Sequence, residues 1–133
     1  MKERITLNGQ DISIRVVTPK DTPALLDVYA PYIIKTAVTF EYEVPSAEEF
    51  ADRVVRTLVR YPYLAAEDDT GILGYVYGGP LHVRPAYDWS AETSIYVRMD
   101  QRGRGIGSAL YGALERILLW RPALLIRRKK MNI

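Results

Sequence analysis

Residues 93–118 carry the sequence TSIYVRMDQRGRGIGSALYGALERIL, whose pattern changes twice along its length. The part from Thr93 to Arg98 is rich in β-branched and aromatic residues and predicts a strand. A cluster containing two glycines, residues 100–105, then breaks the strand. The remainder has the strongest helical period in the chain. Its apolar stripe consists of Ile106, Ala109, Leu110, Ala113, Leu114, Ile117 and Leu118. We therefore predict a strand, a glycine turn and an amphipathic helix in immediate succession.

The turn between this strand and this helix is a candidate anion-binding site. Backbone N–H groups and the positive end of the helix dipole meet at residues 103–108, an arrangement that holds phosphate or pyrophosphate. Glycine leaves the approach to the backbone open, and Arg102 and Arg104 add positive charge. The same residues also fit a tight strand-to-helix turn that binds no ligand and leaves both arginines solvated.

Two common nucleotide motifs match this turn poorly. A Walker loop requires Gly-Lys-Ser/Thr, whereas Gly107 is followed by a serine and an alanine. A Rossmann fingerprint is nearly matched by Gly103, Gly105 and Ser108, but it opens an N-terminal βαβ unit and needs an acidic residue about twenty positions later. Residues 123–130 contain no acidic residue. We therefore disfavour both nucleotide hydrolysis and dinucleotide binding.

Two further helices are predicted upstream of the turn. Thr22 can cap the first, with Pro23 at its first position, and the apolar stripe of this helix runs to about Ile34. The second begins with a capping box formed by Ser46 and Glu49 and ends near the Tyr-Pro pair that follows Arg60. Each helix has one apolar face that must pack against a core.

The predicted strands complete an alternating pattern. Residues 12–16 alternate apolar and polar side chains, which is typical of a strand with one buried face. Residues 63–67 and 72–77 are β-type runs separated by a turn and predict a hairpin. With a short apolar run at residues 123–126, the order is β-α-α-β-β-β-α. The fold class is α/β (α+β), in a single domain of residues 1–133.

The composition excludes several classes of site. The 133-residue chain has no cysteine and one histidine, so thiolate chemistry and a histidine-based zinc site are not expected, and we predict no metal cofactor. No apolar run approaches the ~20 residues that span a bilayer, and we expect a cytoplasmic protein that binds no membrane. Four of the eighteen Lys and Arg residues lie at 127–130, and the other fourteen are outnumbered by sixteen Asp and Glu. This balance argues against binding to nucleic acid.

Together with its flanks, the glycine turn resembles the motif of a known family. Gcn5-related N-acetyltransferases (GNAT) bind acetyl-CoA through Arg/Gln-x-x-Gly-x-Gly/Ala between a strand and a helix, and Arg102, Gly105 and Gly107 stand at its fixed positions. The chain is similar to the phosphinothricin and methionine sulfoximine N-acetyltransferase branch. Further matches are Thr39-Phe40, Arg60-Tyr61-Pro62, Gly78-Gly79-Pro80, Ala86-Tyr87-Asp88-Trp89, residues 92–97 and Leu110-Tyr111. The resemblance implies a GNAT-like acyl-CoA N-acyltransferase fold, a central mixed sheet flanked by helices.

The resemblance also implies a reaction, in which acetyl-CoA is the cosubstrate and a small amino-acid-like primary amine is the acceptor. In the family, a glutamate that matches Glu92 is the general base that deprotonates the incoming ammonium. Without the resemblance, Glu92 reads as a solvated carboxylate at the start of a strand. The cofactor arm is implied to pair with Ile95, Tyr96 and Val97. The pyrophosphate is implied to lie on Arg102, Gly103, Arg104, Gly105, Ile106, Gly107 and Ser108.

Three residues in connecting segments are candidates for the acceptor site. Arg84 could pair with an amino-acid carboxylate, and Phe40 and Tyr87 could form walls. Phe40 and Tyr87 fit a packing role equally well, and Arg84 fits a solvated loop charge. The lone His82 is better explained as a loop residue than as a catalyst.

The C-terminal region departs from the family pattern. Family members continue with a β-α-β-β segment, and in this chain that part is missing or reduced, with residues 121–133 as a divergent tail. The basic run Arg127, Arg128, Lys129 and Lys130 fits a frameshifted or truncated reading frame, a short edge strand, or an anion-binding tail. Two functions therefore stand. The chain is an active N-acetyltransferase, which the resemblance suggests is a homodimer, or it is a truncated, non-catalytic fragment that binds CoA or dimerises.

Overall fold

A six-stranded sheet with three α-helices forms the architecture. The computed structural model describes residues 2–7, 9–35, 43–80, 90–118 and 125–132, and at residues 80, 90–92, 118 and 125–132 it describes the backbone alone. The elements are β1 (Lys2–Leu7), β2 (Gln10–Val16), α1 (Thr22–Lys35), α2 (Ala47–Arg60), β3 (Tyr63–Asp68), β4 (Gly71–Pro80), β5 (Ser90–Val97), α3 (Ile106–Leu118) and β6 (Leu125–Asn132). Short 3₁₀ turns at Pro19–Asp21 and Met99–Gln101 precede α1 and α3.

The strands lie in the sheet in the same order as in the chain, from β1 to β6. The first five are antiparallel to their neighbours, whereas β6 runs parallel to β5. Because α3 connects β5 to β6, the two parallel strands are joined by a helical crossover, as parallel pairing requires. The predicted α/β class, with a mixed sheet flanked by helices, is confirmed.

Two strands extend the predicted order. β1 was not predicted, because four of its six residues are charged or hydroxylated and its apolar signal comes only from Ile5 and Leu7. At the other end, residues 125–132 of the tail form β6 at the edge of the sheet. This is the arrangement that the edge-strand interpretation of the basic run describes. The strand pairs with β5 from Ser90 to Tyr96.

Element boundaries also differ in detail. Thr22 is the first residue of α1 instead of its cap, and its hydroxyl donates to the Pro19 carbonyl at 2.7 Å. Thr18 caps the preceding 3₁₀ turn, so the chain enters α1 through an extra turn. The Ser46 side chain caps α2 as predicted, accepting a hydrogen bond from the Glu49 N–H at 3.1 Å.

The sheet has a hydrophobic layer on each face. α3 covers one face with a core of Ile12, Ile14, Leu64, Ala66, Leu73, Val76, Ile95, Val97, Ile106, Leu110, Tyr111, Ala113 and Leu114. α1 and α2 cover the other face with Val17, Leu25, Val28, Tyr29, Phe50, Val54, Tyr63, Ala65, Ile72 and Tyr75. Within the described ranges, no helix is both long enough and apolar enough to cross a membrane.

Candidate functional site

The glycine turn connects β5 to α3, as predicted. Gly103 and Gly105 have φ angles of +83° and +85°, in the left-handed region that glycine adopts without strain. The Ala109 N–H donates to the Gly105 carbonyl at 3.0 Å and begins the helical ladder. The N–H groups of residues 106–108 therefore precede the ladder and are available for a ligand at the positive end of the helix.

A surface pocket lies at this turn. It has a volume of about 180 Å³. Its walls are formed by Val97, Gln101, Arg102, Gly103, Gly105, Ile106, Gly107 and Ser108. The volume is below the ~300 Å³ at which pockets for whole small ligands begin. The pocket therefore suits one anionic group of a ligand whose remainder lies along the surface.

The strand end that forms one wall of the pocket is fixed from two directions. The Arg98 N–H donates to the Leu73 carbonyl of β4 at 2.8 Å. The Tyr32 hydroxyl of α1 donates to the Val97 carbonyl from within the core. Both bonds act on the single peptide group that joins Val97 to Arg98, so the position at which the chain leaves the sheet is closely defined.

The two arginines of the turn have different surroundings. Arg102 is exposed and lines the pocket, where its charge can face an anion. Arg104 is half-buried, is absent from the pocket wall and donates to the side-chain oxygens of Gln101 and Gln10. Of the two cations assigned to the pyrophosphate, the structure thus brings only Arg102 to the pocket.

The predicted cofactor-arm residues lie on β5, between β4 and the edge strand β6. Ile95 and Val97 are buried under α3, whereas the Tyr96 ring packs on the opposite face against Tyr29, with ring centroids 5.1 Å apart. Their side chains therefore pack in the two hydrophobic layers, and only their backbone groups are suited to pair with the cofactor arm. In the register of the sheet, β6 lies opposite Ile95 and Tyr96, and Val97 lies beyond the last pair.

The predicted base lies on the same strand as the pocket wall. The backbone of Glu92 is in β5, opposite Gly79 of β4 and Arg127 of β6. Glu92 precedes Val97 by five residues, which corresponds to about 16 Å along an extended strand. Its side chain lies outside the described part of the chain, and so do the acceptor candidates Phe40, Arg84 and Tyr87 and the lone histidine, His82.

A cluster of aromatic rings covers the sheet face under α1 and α2, and the sequence analysis did not identify it. Its members are Tyr29, Tyr32, Phe50, Tyr63, Tyr75, Tyr77 and Tyr96. Tyr63 and Tyr77 are stacked with centroids 4.9 Å apart. Burial raises the pKa of Tyr63 and of Tyr75 well above the ordinary value, so both stay neutral. Alternation along β3, β4 and β5 was the signal that could have revealed the cluster.

Two other contributors to the site were missed for different reasons. Gln101 lines the pocket and directly precedes the arginine of the motif, so its position in the sequence was a usable signal. Gln10 contacts Arg104 across 94 positions of sequence, and no local pattern indicates such a contact. In the described part of the chain, no group of three or more His, Cys, Asp or Glu residues is arranged to hold a metal ion.

Comparison with known proteins places these features in context. A family model described as "Acetyltransferase (GNAT) domain" matches residues 14–126. Phosphinothricin N-acetyltransferase from Streptomyces viridochromogenes is 37% identical over 100 residues, covering 75% of this chain and 55% of the relative. The L-methionine sulfoximine/L-methionine sulfone acetyltransferase of Pseudomonas paraeruginosa is 36% identical over 104 residues, covering 77% of this chain and 60% of the relative. The chain thus spans little more than half the length of these relatives.

A solved structure has a similar fold. It is a GNAT superfamily phosphinothricin acetyltransferase from Sinorhizobium meliloti in complex with AcCoA, similar with a TM-score of 0.72 and 32% sequence identity. The similarity covers 77% of this chain and 57% of that one. A ribosomal-protein-alanine N-acetyltransferase from Brucella melitensis is similar with a TM-score of 0.79 and 28% identity, covering 86% of this chain and 72% of that one.

Proposed function

The chain belongs to the GNAT acetyltransferase family, and from this premise we propose that it transfers an acetyl group from acetyl-CoA to the primary amine of a small amino-acid-like acceptor. The pocket at the N-terminus of α3 carries the proposal, because it combines the family's glycine turn with helix N–H groups and an exposed arginine. Relatives named phosphinothricin and L-methionine sulfoximine/L-methionine sulfone acetyltransferases support this acceptor class.

The turn has the properties that a pyrophosphate group requires. A Cβ built on Gly103 would meet no atom within 4 Å, so the approach to the backbone is open on that side. The N–H groups of residues 106–108 and the Arg102 side chain supply donors and positive charge. We propose that this turn anchors the CoA moiety, which carries the acetyl group as a thioester.

The strand leading into the turn provides the remaining groups. An amine that arrives as ammonium has no lone pair, so it must lose a proton before it can attack the thioester carbon. We assign that proton to the Glu92 carboxylate, directly or through a water molecule. Backbone N–H groups of residues 95–97 are suited to stabilise charge on the thioester oxygen. Transfer would form the N–C bond and break the C–S bond. The nitrogen loses two protons in all: the first goes to the base, and the second goes to the departing CoA sulfur, which leaves as free thiol.

The register of β6 adds a requirement to this proposal. A cofactor arm that pairs with Ile95 and Tyr96 as an added strand uses the same strand edge as Met131 and Asn132. The last residues of β6 must therefore move away from β5 at these positions. Val97 lies beyond the last β5–β6 pair, so an arm can reach its strand edge without this movement. Phe40, Arg84 and Tyr87 stay candidates for the acceptor site. A homodimer and a cytoplasmic location likewise stay predictions.

Calorimetric titration of the 133-residue chain with acetyl-CoA tests the cofactor assignment. We expect micromolar binding that Gly105→Val weakens at least tenfold, because a β-branched residue at a φ of +85° costs about 1–3 kcal/mol and distorts the turn. Gly112→Ala, a glycine substitution in α3 away from the pocket, is the matched control and should bind normally. Equal affinity in Gly105→Val and the wild-type chain would contradict the assignment.

Turnover tests the role of Glu92. Glu92→Gln keeps the shape of the side chain but removes the base, so kcat should fall about 100-fold while acetyl-CoA binding is retained. The assay follows free thiol released from acetyl-CoA with methionine sulfoximine or phosphinothricin as acceptor. Undiminished kcat in the variant would remove Glu92 from the mechanism. Binding without turnover in the wild-type chain would support the alternative of a non-catalytic CoA-binding fragment.

A further inference from the structure

We propose that Gln10 and Arg104 are positioning residues that hold the glycine turn in its ligand-binding conformation from outside the pocket. This inference rests on the proposed binding of acetyl-CoA at that turn. It assigns to Arg104 a role other than direct charge pairing with the pyrophosphate. It also assigns a functional role to the β1–β2 hairpin, which contributes no residue to the pocket wall.

A chain of side-chain hydrogen bonds connects the turn to two other parts of the sheet. The Arg104 guanidinium donates through Nη1 to Gln101 Oε1 and through Nη2 to Gln10 Oε1. The Gln10 amide nitrogen then donates to the Asp68 carboxylate at the end of β3. All four side chains are half-buried. The turn is thereby joined to the first residue of β2 and to the β3–β4 connection.

The orientation of Arg104 follows from these bonds. A planar guanidinium presents its donors in one fixed fork, so two bonds to two different acceptors define the direction of the whole group. That direction is toward the hairpin, which explains why Arg104 is absent from the pocket wall formed by its neighbours Gly103 and Gly105. Both neighbours are glycines with positive φ, and glycine has many accessible backbone conformations. An external bond is therefore what selects one conformation of the turn.

Packing at the hairpin supports the same contact. A Cβ built on Gly105 would lie 4.0 Å from the Leu7 side chain at the end of β1, so the hairpin and the turn already approach each other closely. Asp68 is itself fixed, because its carboxylate accepts from the Thr70 N–H at 2.8 Å and from the Thr70 hydroxyl at 2.6 Å. The Thr70 hydrogen bonds, with the positive charge of Arg104, lower the pKa of Asp68. Gln10 is therefore held from both sides.

The inference predicts that a residue remote from the ligand controls its affinity. In calorimetric titrations, Gln10→Ala and Arg104→Gln should each raise the Kd for acetyl-CoA about fivefold. The Kd of the double variant should rise no further than that of the more affected single variant, because both substitutions break the same contact. Arg102→Gln should instead make the Kd less sensitive to salt, because only Arg102 faces the anion directly. The salt dependence should be unchanged in Gln10→Ala.

Two variants separate positioning from a general loss of stability. Glu3→Gln removes the Glu3–Arg116 ion pair of 2.8 Å, which also joins the hairpin to α3 but lies away from the turn, and it should leave the Kd unchanged. Gln10→Glu keeps the acceptor for Arg104 but places a second carboxylate beside Asp68. It should therefore lower the melting temperature and yet keep wild-type affinity. Equal Kd changes in Gln10→Ala and Glu3→Gln would overturn the inference.

Hydrogen exchange provides a test that needs no ligand. In the unliganded chain, Gln10→Ala should accelerate amide exchange at residues 103–108, and Glu3→Gln should not. If the wild-type chain fails to bind acetyl-CoA, the proposed function fails, while this exchange pattern still decides whether Gln10 restrains the turn. Unchanged exchange at the turn in Gln10→Ala would refute the positioning role.

Discussion

Arg15 shows how one side chain can join three parts of this molecule. Its guanidinium donates to both oxygens of Asp21, each at 2.8 Å, and to both oxygens of Glu67, at 2.8 and 3.1 Å. Arg15 lies on β2, Glu67 on β3, and Asp21 in the 3₁₀ turn that leads into α1. The hydrogen bond from Arg15 holds the pKa of Asp21 below its ordinary value. This cluster fixes the direction in which the chain leaves the sheet.

The Asp21 carboxylate should make stability depend on pH. A carboxyl group whose pKa is lowered in the folded state stabilises the fold above its unfolded pKa of about 3.9, and this contribution is lost as the pH falls through the folded pKa. Asp21→Asn should therefore lower the free energy of unfolding by about 1–2 kcal/mol at pH 7, with the deficit shrinking below about pH 4. Urea denaturation at several pH values measures this. The exposed Asp52→Asn is the control, and a deficit independent of pH would refute the argument.

The candidate site could be predicted from the sequence where its residues lie close together in the chain. Arg102, Gly103 and Gly105 follow one another in the chain, so their meeting at a helix N-terminus could be expected from the sequence. The direction of Arg104 could not, since it depends on Gln10, whose neighbours in the sequence give no sign of the contact. Sequence patterns thus located the turn but did not separate the arginine that lines the pocket from the arginine that contacts Gln10.

At the scale of elements, α-helices and buried strands were predictable because their apolar residues recur at a fixed period. α2 is a clear case, since Ser46 caps it and Phe50 and Val54 are its buried residues. β1 lacks a buried apolar period, because its side chains alternate only between exposed and half-buried. It is an edge strand that pairs with β2 alone among the described strands. β6 carries a basic run in place of an alternating pattern, and its assignment as a strand depends on pairing with β5.

For the molecule as a whole, the sheet is shared by two hydrophobic layers. Ile14 belongs to the layer under α3 and Ile72 to the layer under α1 and α2, and both side chains are buried. Neither layer has a sheet of its own. We therefore expect the two layers to unfold together in one cooperative transition.

Removing one methylene from each layer tests this cooperativity. Ile14→Val and Ile72→Val should each lower the free energy of unfolding by about 0.5–1.5 kcal/mol, and each should shift one single transition. Urea denaturation followed by far-UV circular dichroism gives the midpoint and the slope. A second transition in either variant, with part of the helical signal retained, would show that the layers unfold separately.

The contact between Gln10 and Arg104 also has a consequence for the order of events during synthesis. A ribosome releases the N-terminus first, and the β1–β2 hairpin, whose strands pair with each other locally, can form as soon as it emerges. Its partner in the turn is made 94 residues later. The hairpin therefore exists before the turn that it restrains, and the glycine turn is secured only once its own residues have left the ribosome.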